Sequence, residues 1–173
     1  MDRRFRRRRS RLPVFLLLLL ALVSVHLWQT QRHPRPPEAL SEGDYRVRRV
    51  VDGDTLLLDN GARLRLQGID APETVMPDHP VEPWGPEAAA FTREFVADST
   101  VRLQFSRDRK DEYGRFLAFV WVGDRLLNEE LVRAGLATAE QGFPYNQTMK
   151  RRLVVAEKEA QAAQRGIWST NGR

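Results

Sequence analysis

The sequence predicts an α+β domain in which a small closed β-barrel is combined with helices. Five strand-like segments either alternate apolar and polar side chains with a period of two or run apolar throughout. Asp59-Asn60-Gly61 separates two of these segments and is typical of a tight hairpin, because Asn-Gly accepts the positive φ angles that such turns need. Three stretches with helical spacing interrupt and follow the strands.

The predicted strands are short, as the strands of a small barrel must be. They cover residues 45–51, 55–58, 62–69, 101–105 and 116–122. In the third strand, Leu64 and Leu66 alternate with arginines, so Arg65 is predicted on the face opposite the leucines. Gly123-Asp124 is the turn that ends the last strand.

Capping and stop signals bound three predicted helices. These run from Pro86 to about Ala97, from Asn128 to Gly135, and from Gln147 to Arg165. Pro86 suits a first helical turn, because its missing N–H has no partner to lose there. Asn128 is the predicted cap of the second helix, and Gly166 follows the third as a stop signal.

Residues 1–28 are predicted to be a basic region followed by a hydrophobic signal or anchor segment. Seven arginines lie between positions 3 and 11, and an almost entirely apolar run from Leu12 to Trp28 follows them. That run has about the minimum length of a bilayer span. By the positive-inside rule the arginines stay in the cytoplasm and the remainder of the chain lies outside it. An uncleaved membrane anchor is favoured by Trp28 at the interfacial position, and a cleaved, secreted form is the alternative.

Residues 29–43 are predicted to be a proline-rich linker, and residues 44–173 a single domain. Residues 1–35 hold nine of the 28 basic residues and one of the 23 acidic residues, which leaves 19 and 22 for the rest of the chain. This balance excludes capture of nucleic acid by a strongly basic domain, so contacts with a polyanion must be local. The absence of cysteine fits an exported protein.

Three short segments hold the carboxylates and arginines that phosphodiester cleavage requires. They are Val51-Asp52-Gly53-Asp54-Thr55, Arg65-Leu66-Gln67-Gly68-Ile69-Asp70-Ala71-Pro72-Glu73 and Asp111-Glu112-Tyr113-Gly114-Arg115. An arginine fork donates parallel hydrogen bonds to phosphate oxygens and stays charged at any working pH. Carboxylate oxygens bind a hard ion such as Ca²⁺ or Mg²⁺, and the chain offers no cysteine and no paired histidines for zinc. The composition of these segments therefore predicts a metal-dependent nuclease.

Together with Leu127-Asn128-Glu129, Gly135-Leu136-Ala137 and Gly166-Ile167-Trp168, these segments resemble the thermonuclease family, typified by staphylococcal nuclease. The resemblance covers about residues 45–169 in unbroken order. It implies a five-stranded OB-fold β-barrel with three α-helices and one bound Ca²⁺ ion. It also implies hydrolysis of DNA and RNA with little sequence preference, at the 5′ P–O bond, leaving 3′-phosphate ends.

The resemblance also implies roles for particular residues in the metal and catalytic centre. Asp54, Asp70 and the backbone carbonyl of Ala71 match the Ca²⁺ ligands, and Asp52 matches an acid that orients metal-bound water. Glu73 matches the carboxylate that either positions or deprotonates the attacking water, and both roles stay open. Arg65 and Arg115 match the pair that grips the phosphate and stabilises the five-coordinate transition state.

Substrate contacts are expected from two aromatic residues. Tyr113 is placed for base or phosphate contact, and Phe143 for stacking on a base. The chain departs from secreted family members at Glu112, Gln141 and Phe143, where those proteins have a lysine and two tyrosines. We therefore expect weaker binding of nucleic acid with the chemistry intact.

The expected partners are DNA and RNA, with single-stranded or unpaired regions favoured, and a membrane through residues 1–28. The protein is expected to be a monomer. One alternative from another class is a non-catalytic OB-fold module that binds nucleic acid at the membrane. Such modules typically lack the set of acids and arginines present here. Another alternative is a membrane-bound interaction domain with no nucleic-acid partner.

Overall fold

The computed structural model describes residues 16–25, 36–74, 81–97 and 99–169, and these fall into two compact units, Met1–Arg35 and Pro36–Arg173. In the first unit, residues 16–25 form helix α1, and their side chains are exposed. No helix within the described ranges combines the length and the apolar character that a bilayer crossing requires. The remainder of the predicted signal or anchor segment, residues 1–15 and 26–28, lies outside those ranges.

The described residues of the second unit form eight strands and three further helices. The strands are β1 (Gly43–Asp52), β2 (Thr55–Leu58), β3 (Arg63–Leu66), β4 (Ile69–Asp70), β5 (Thr100–Gln104), β6 (Phe116–Val122), β7 (Arg125–Leu126) and β8 (Thr138–Ala139). The helices are α2 (Gly85–Val96), α3 (Leu127–Arg133) and α4 (Gln147–Ala162), and Gly166–Trp168 form a 3₁₀ turn.

Five strands close into a barrel in the order β3-β2-β1-β5-β6. Neighbouring strands along this order are antiparallel, and the ring closes where β3 pairs in parallel with β6, with Leu64 opposite Phe116. β7 pairs with β6 in antiparallel fashion, and β4 pairs with β8 in a separate two-stranded sheet. The predicted α+β class and five-stranded closed barrel are confirmed.

Leucines that alternate along β2 and β3 form the centre of the barrel. Leu56, Leu58, Leu64 and Leu66 are fully buried, and they pack in one core with residues of β5, β6 and the helices. Arg65 lies between two of these leucines in β3 and points to the opposite face. The alternation read from the sequence therefore gave the correct face for this arginine.

The predicted strand over residues 62–69 is broken, which corrects the sequence interpretation. β3 ends at Leu66 and β4 begins at Ile69, because Gly68 turns the chain with a φ of +80°. A Cβ at Gly68 would lie 2.8 Å from the ring of Tyr145, so the turn also lets the backbone pack closely against that ring. The break directs Asp70 towards β8, where it pairs with Thr138.

The second predicted helix begins one residue earlier than expected, and Asn128 is not its cap. α3 starts at Leu127 and is preceded by Leu126, which makes no side-chain cap. The buried Asn128 side chain instead accepts a hydrogen bond from the Val120 N–H at 3.0 Å and donates one to the Gln67 carbonyl at 2.9 Å. Asn128 thus ties β6 to the turn that follows β3.

The last predicted helix starts at the expected residue and ends early. Asn146 caps α4, because its side chain accepts hydrogen bonds from the N–H groups of Thr148 and Met149. The helix ends at Ala162 instead of Arg165. The intervening residues turn the chain into the 3₁₀ segment that begins at Gly166.

The described part of the predicted linker, residues 36–43, packs against the barrel domain. Leu40 is buried in the core, and its carbonyl accepts a hydrogen bond from Arg109 Nη1 at 3.0 Å. The Glu38 carbonyl accepts one from Lys110 Nζ at 2.8 Å, and β1 already begins at Gly43. Residues 29–35 lie outside the described ranges.

Candidate active site

Hydrogen bonds join the turn between β1 and β2 to the segment that follows β4. Asp54 Oδ2 accepts a hydrogen bond from the Ala71 N–H at 2.9 Å. Asp52 Oδ1 accepts one from Thr74 Oγ1 at 2.6 Å, and its carboxylate also accepts from the Thr74 N–H. Two segments separated by about 20 residues of sequence are therefore held together by carboxylates of the first.

Helix α2 packs closely against the same turn. Thr92 Oγ1 on α2 donates a 2.6 Å hydrogen bond to the Gly53 carbonyl. A Cβ at Gly53 would lie 2.8 Å from the Ala88 side chain and 2.9 Å from that of Ala71. Because no side chain fits at Gly53, glycine allows Asp52 and Asp54 to approach the segment after β4.

We call Asp52, Asp54, Asp70 and Glu73 the acidic corner. One cation, Arg65, joins two of its members. Arg65 Nη1 forms a salt bridge with Asp54 Oδ1, and Arg65 Nη2 donates to Asp70 Oδ1 at 2.6 Å. The two predicted metal-ligand carboxylates thus converge on the same point, and Arg65, which was predicted to contact phosphate, contacts both of them.

Burial and crowding of negative charge shift the ionisation of this corner. Burial and the neighbouring Asp52 carboxylate raise the pKa of Glu73 to about 7. Burial also raises the pKa of Asp54, although the Arg65 charge opposes the rise. The pKa of Asp52 is lowered. Hydrogen bonds from Glu73, Thr74 and Gly53 stabilise its charged form by more than burial destabilises it.

A cleft of about 490 Å³ lies beside the acidic corner. Four of the predicted site residues line it: Arg65, Tyr113, Arg115 and Phe143. Asp111 holds Arg115 in place through a 2.7 Å salt bridge to Nε and a hydrogen bond from the Arg115 N–H. Tyr113 and Phe143 stand at the rim with 76% and 62% of their surfaces exposed. Arg65 lines the cleft and also contacts two residues of the corner, Asp54 and Asp70.

The remaining predicted residues lie in or next to the corner. Asp54 and Ala71 are buried, whereas 58% of the Asp70 side chain is exposed. The Glu73 N–H donates to Glu82 Oε2 at 3.0 Å, and the Glu73 carboxyl lies against Asp52. Eight of the nine predicted residues therefore belong to the corner or line the cleft, and the ninth, Ala71, lies next to the corner.

Sequence reasoning missed two residues that line the cleft. Glu140 lies next to Arg65, and burial raises the pKa of its carboxyl while the Arg65 charge opposes the rise. Its N–H donates to the Gly68 carbonyl at 2.9 Å. Gln67 is buried, and its Oε1 has no hydrogen-bond partner among the described residues. Sequence spacing could not place Glu140, because the pairing of β4 with β8 that brings it here involves only two residues from each strand.

The donor chemistry of the corner fits a hard divalent cation. Asp54 and Asp70 supply carboxylate oxygens that already converge on one positive charge, and Ala71 lies between Asp70 and Glu73 with a backbone carbonyl. Within the described ranges, no three acidic or histidine side chains form a metal cluster by themselves. A cation here would therefore need the backbone oxygen as well as the two aspartates.

Comparison with known proteins decides the family. The family model described as "Staphylococcal nuclease homologue" matches residues 63–170. The chain belongs to the staphylococcal nuclease family. It is 38% identical over 161 residues to a thermonuclease of Staphylococcus hyicus, covering 89% of this chain and 95% of the relative. It is 45% identical over 127 residues to a thermonuclease of Staphylococcus intermedius, covering 72% of this chain and 75% of the relative.

A further relative carries the name of an endonuclease. The endonuclease YncB of Bacillus subtilis is 34% identical over 128 residues, covering 72% of this chain and 61% of the relative. The barrel is accordingly the OB-fold barrel of this family. The protein is a nuclease, a hydrolase of phosphodiester bonds.

Proposed function

We propose that the protein is a Ca²⁺-dependent nuclease that hydrolyses DNA and RNA with little sequence preference and leaves 3′-phosphate ends. One observation carries this proposal. Asp54 and Asp70 converge on Arg65, and Arg65 also lines the cleft that contains Arg115. Carboxylates for a cation and cations for a phosphate therefore adjoin each other, as phosphodiester hydrolysis requires.

The metal would be held by the Asp54 and Asp70 carboxylates and by the carbonyl of Ala71. Bound there, Ca²⁺ would supply positive charge next to the phosphate group. Asp52 supports this arrangement by fixing the segment after β4 through three hydrogen bonds from Thr74. Its carboxylate would also orient water at the metal.

Glu73 is the residue that would act on the attacking water. Its pKa of about 7 means that the carboxyl gains and loses a proton near neutral pH. It therefore has the ionisation behaviour of a general base, and a carboxylate in this position also orients water by accepting its hydrogen bonds. Both roles remain part of the proposal.

Arg65 and Arg115 would bind the phosphate from two walls of the cleft. Each presents a guanidinium, and the Arg65 side chain is only 12% exposed, so solvent weakens its charge less than that of a surface arginine. Extra negative charge on the phosphate oxygens in the transition state is the feature that these groups stabilise. Arg65 must exchange at least one of its carboxylate contacts for the phosphate when substrate and metal bind.

Tyr113 and Phe143 would contact bases at the rim of the cleft. Both rings are largely exposed, and stacking on a base is tolerant of sequence because every base has a π-face. An unpaired base exposes that face, whereas a base inside a duplex is already stacked. Single-stranded and unpaired regions of DNA and RNA are therefore the proposed preferred substrates.

A digestion experiment tests the proposed reaction. Purified protein is incubated with single-stranded DNA and with RNA, in Ca²⁺ and in excess EGTA, beside Glu73→Gln and the control Glu94→Gln. We expect cleavage in Ca²⁺ and none in EGTA, both for the wild type and for the control, whose substituted residue is an exposed position of α2. Products that a polymerase extends only after treatment with a 3′-phosphatase would establish the position of the broken bond.

Two outcomes contradict the proposal in different ways. Cleavage that persists in EGTA would remove the calcium requirement. A shift of DNA mobility without cleavage, unaffected by Glu73→Gln, would indicate a binding module that has lost turnover.

We also propose that the protein acts outside the cytoplasm as a monomer, attached to the cytoplasmic membrane by residues 1–28. Seven arginines followed by the apolar run from Leu12 to Trp28 support this location. Mass spectrometry of the N-terminus of the protein from membrane fractions tests it. An intact N-terminus is expected, and a terminus after residue 23 or beyond in the medium would show cleavage and secretion instead.

A further inference from the structure

Arginines line the outer face of the barrel on the strands next to the cleft. Arg49 of β1 and Arg63 of β3 both pair directly with Leu57 of β2. Direct partners in antiparallel strands point to the same face, so the two arginines flank Leu57 on the outside of the barrel. Both are exposed, and neither forms a salt bridge with a described residue. Their Cα atoms, two strands apart, lie about 10 Å from each other.

A β-bulge adds a further arginine to this face. The register of β1 against β2 shifts between Val47 and Arg49, so the exposed Arg48 is an extra residue of β1 next to Arg49. Arg48 and Arg49 also line a shallow hollow of about 310 Å³ between β1 and the end of α2, where Arg93 forms another wall. We call Arg48, Arg49, Arg63 and Arg93 the arginine row.

The arginine row is continuous with the cleft. Arg63 and Arg65 are two residues apart on β3 and therefore point to the same outer face. Across the junction that closes the barrel, Arg65 pairs with the half-exposed Leu117, which lines the cleft. A strand that leaves the cleft past Arg65 meets Arg63 next, and then Leu57 and Arg49.

We propose that the arginine row binds the sugar-phosphate backbone of the substrate strand outside the cleft. This inference rests on the proposed nuclease function and assigns the surface that holds the strand beyond the cleaved bond. The domain itself is not basic, with 19 basic and 22 acidic residues after position 35, so a polyanion needs a local run of cations. The row supplies such a run, and Leu57 provides an apolar contact for sugars or bases between its charges.

Binding to short and long oligonucleotides tests the row. Fluorescence anisotropy is measured in EDTA with single-stranded DNA of about 4 and about 16 nucleotides, which bracket the site sizes of OB-folds. Three double variants are compared with the wild type. The first is Arg49→Gln with Arg63→Gln, and the second is the charge-conserving Arg49→Lys with Arg63→Lys. The control is Arg151→Gln with Lys158→Gln, at two exposed positions of α4. All carry the full chain, so the N-terminal arginines contribute equally to each.

The glutamine variant is expected to bind the long oligonucleotide more weakly than the wild type does, and to bind the short oligonucleotide equally well. Each lost phosphate contact lowers the slope of log affinity against log salt by about 0.7, which is roughly fivefold in affinity per arginine at 0.1 M salt. The lysine variant and the α4 control should stay close to the wild type. Because the substituted residues are exposed and outside the cleft, Ca²⁺-dependent cleavage of the short oligonucleotide should be unchanged.

Three results would overturn the proposal. The glutamine variant could bind the long oligonucleotide as well as the wild type does, or the α4 control could lose as much affinity. Equal losses for short and long oligonucleotides would place the effect in the cleft or in the fold. Failure of the nuclease proposal is distinguishable from all three, because then the wild type itself would not cleave the short oligonucleotide.

Discussion

The acidic corner and the rim of the cleft differ in how firmly their side chains are held. In the corner, Asp52 and Asp54 are buried, and both accept hydrogen bonds from the segment after β4. At the rim, Tyr113 and Phe143 are mostly exposed and belong to loops. The aspartates proposed to support the reaction are thus held by hydrogen bonds, whereas the rings proposed to contact bases lie exposed on loops.

A nuclease without sequence preference must meet two demands, and the two regions each suit one of them. Reaction at phosphorus is sensitive to small displacements of the charged groups around it, so those groups gain from a rigid support. Bases of different size and shape must all be accepted, so their contacts gain from mobility. Substitutions in the corner should therefore change the catalytic rate, and substitutions at the rim should change binding.

The largest effect is expected from Arg65→Ala. This substitution removes a cation from the phosphate site and leaves the buried Asp54 without its salt bridge, so kcat should fall about 10³-fold. Steady-state cleavage of single-stranded DNA measures kcat, and circular dichroism confirms the fold. Arg65→Lys keeps the charge without the fork and should recover part of the loss. A decrease of less than tenfold would show that Arg65 and its contacts with the corner do not control the rate.

Asp52→Asn should have the next largest effect. The amide keeps the shape of the side chain but loses the charge and one acceptor for Thr74, so the segment after β4 is held less firmly. Activity at subsaturating Ca²⁺ should fall about 10- to 100-fold. A calcium titration of the cleavage rate measures this, with Asp44→Asn on exposed β1 as the control. If the Ca²⁺ concentration for half-maximal rate were unchanged, Asp52 would have no influence on metal binding.

Phe143→Ala tests the rim. Loss of one stacking contact should raise KM about tenfold and leave kcat unchanged. Initial rates across a range of single-stranded DNA concentrations separate the two constants. Val155→Ala, another exposed apolar residue, should change neither. A fall in kcat with constant KM would place Phe143 in the reaction and erase the distinction between rim and corner.

The smallest effect concerns the stability of the metal-free protein. Folding raises the pKa of Glu73 from its ordinary 4.5 to about 7, so the folded chain keeps a proton that the unfolded chain loses between those values. Stability contributed by this group therefore falls as pH rises through that window and stays low above it. Glu73→Gln should be more stable than the wild type at pH 8 by about 1 kcal/mol, after allowance for solvent screening.

Thermal unfolding in EDTA checks the Glu73 prediction. The variant should unfold about 3 °C above the wild type at pH 8, and the two should converge at pH 4, where both states of the wild type are protonated. Glu94→Gln serves as the matched control on the surface of α2. An equal difference at both pH values would mean that Gln stabilises through packing and not through charge.

The sequence was sufficient for features that are local in the chain. Alternating leucines placed Arg65 on the outer face of β3, and Asn60-Gly61 marked the hairpin between β2 and β3. The proximity of Asp70 and Glu73 also follows from the sequence, because they lie in a single short segment that contains Pro72. The alternation of apolar residues, the residues of a turn and the neighbours within one segment all span only a few residues. Features of this length can be read directly from the sequence.

Features that depend on distant parts of the chain escaped prediction. Glu140 reaches the cleft only because two-residue strands β4 and β8 pair, and such short pairings leave no periodic signal. Asn128 looked like a helix cap, yet its buried amide bridges β6 and the turn at Gln67. The contact of Arg65 with both aspartates also depends on where the backbone turns at Gly68, a break that the strand pattern concealed.

Closure of the barrel between β3 and β6 has a consequence for the order in which the cleft can be assembled. Arg65 lies on β3, Arg115 directly precedes β6, and the two strands meet only when the parallel pairing forms. Contacts between segments this far apart in sequence form late, after the cost of closing a long loop has been met. A growing chain that still lacks β6 therefore cannot bring Arg65 and Arg115 into one cleft.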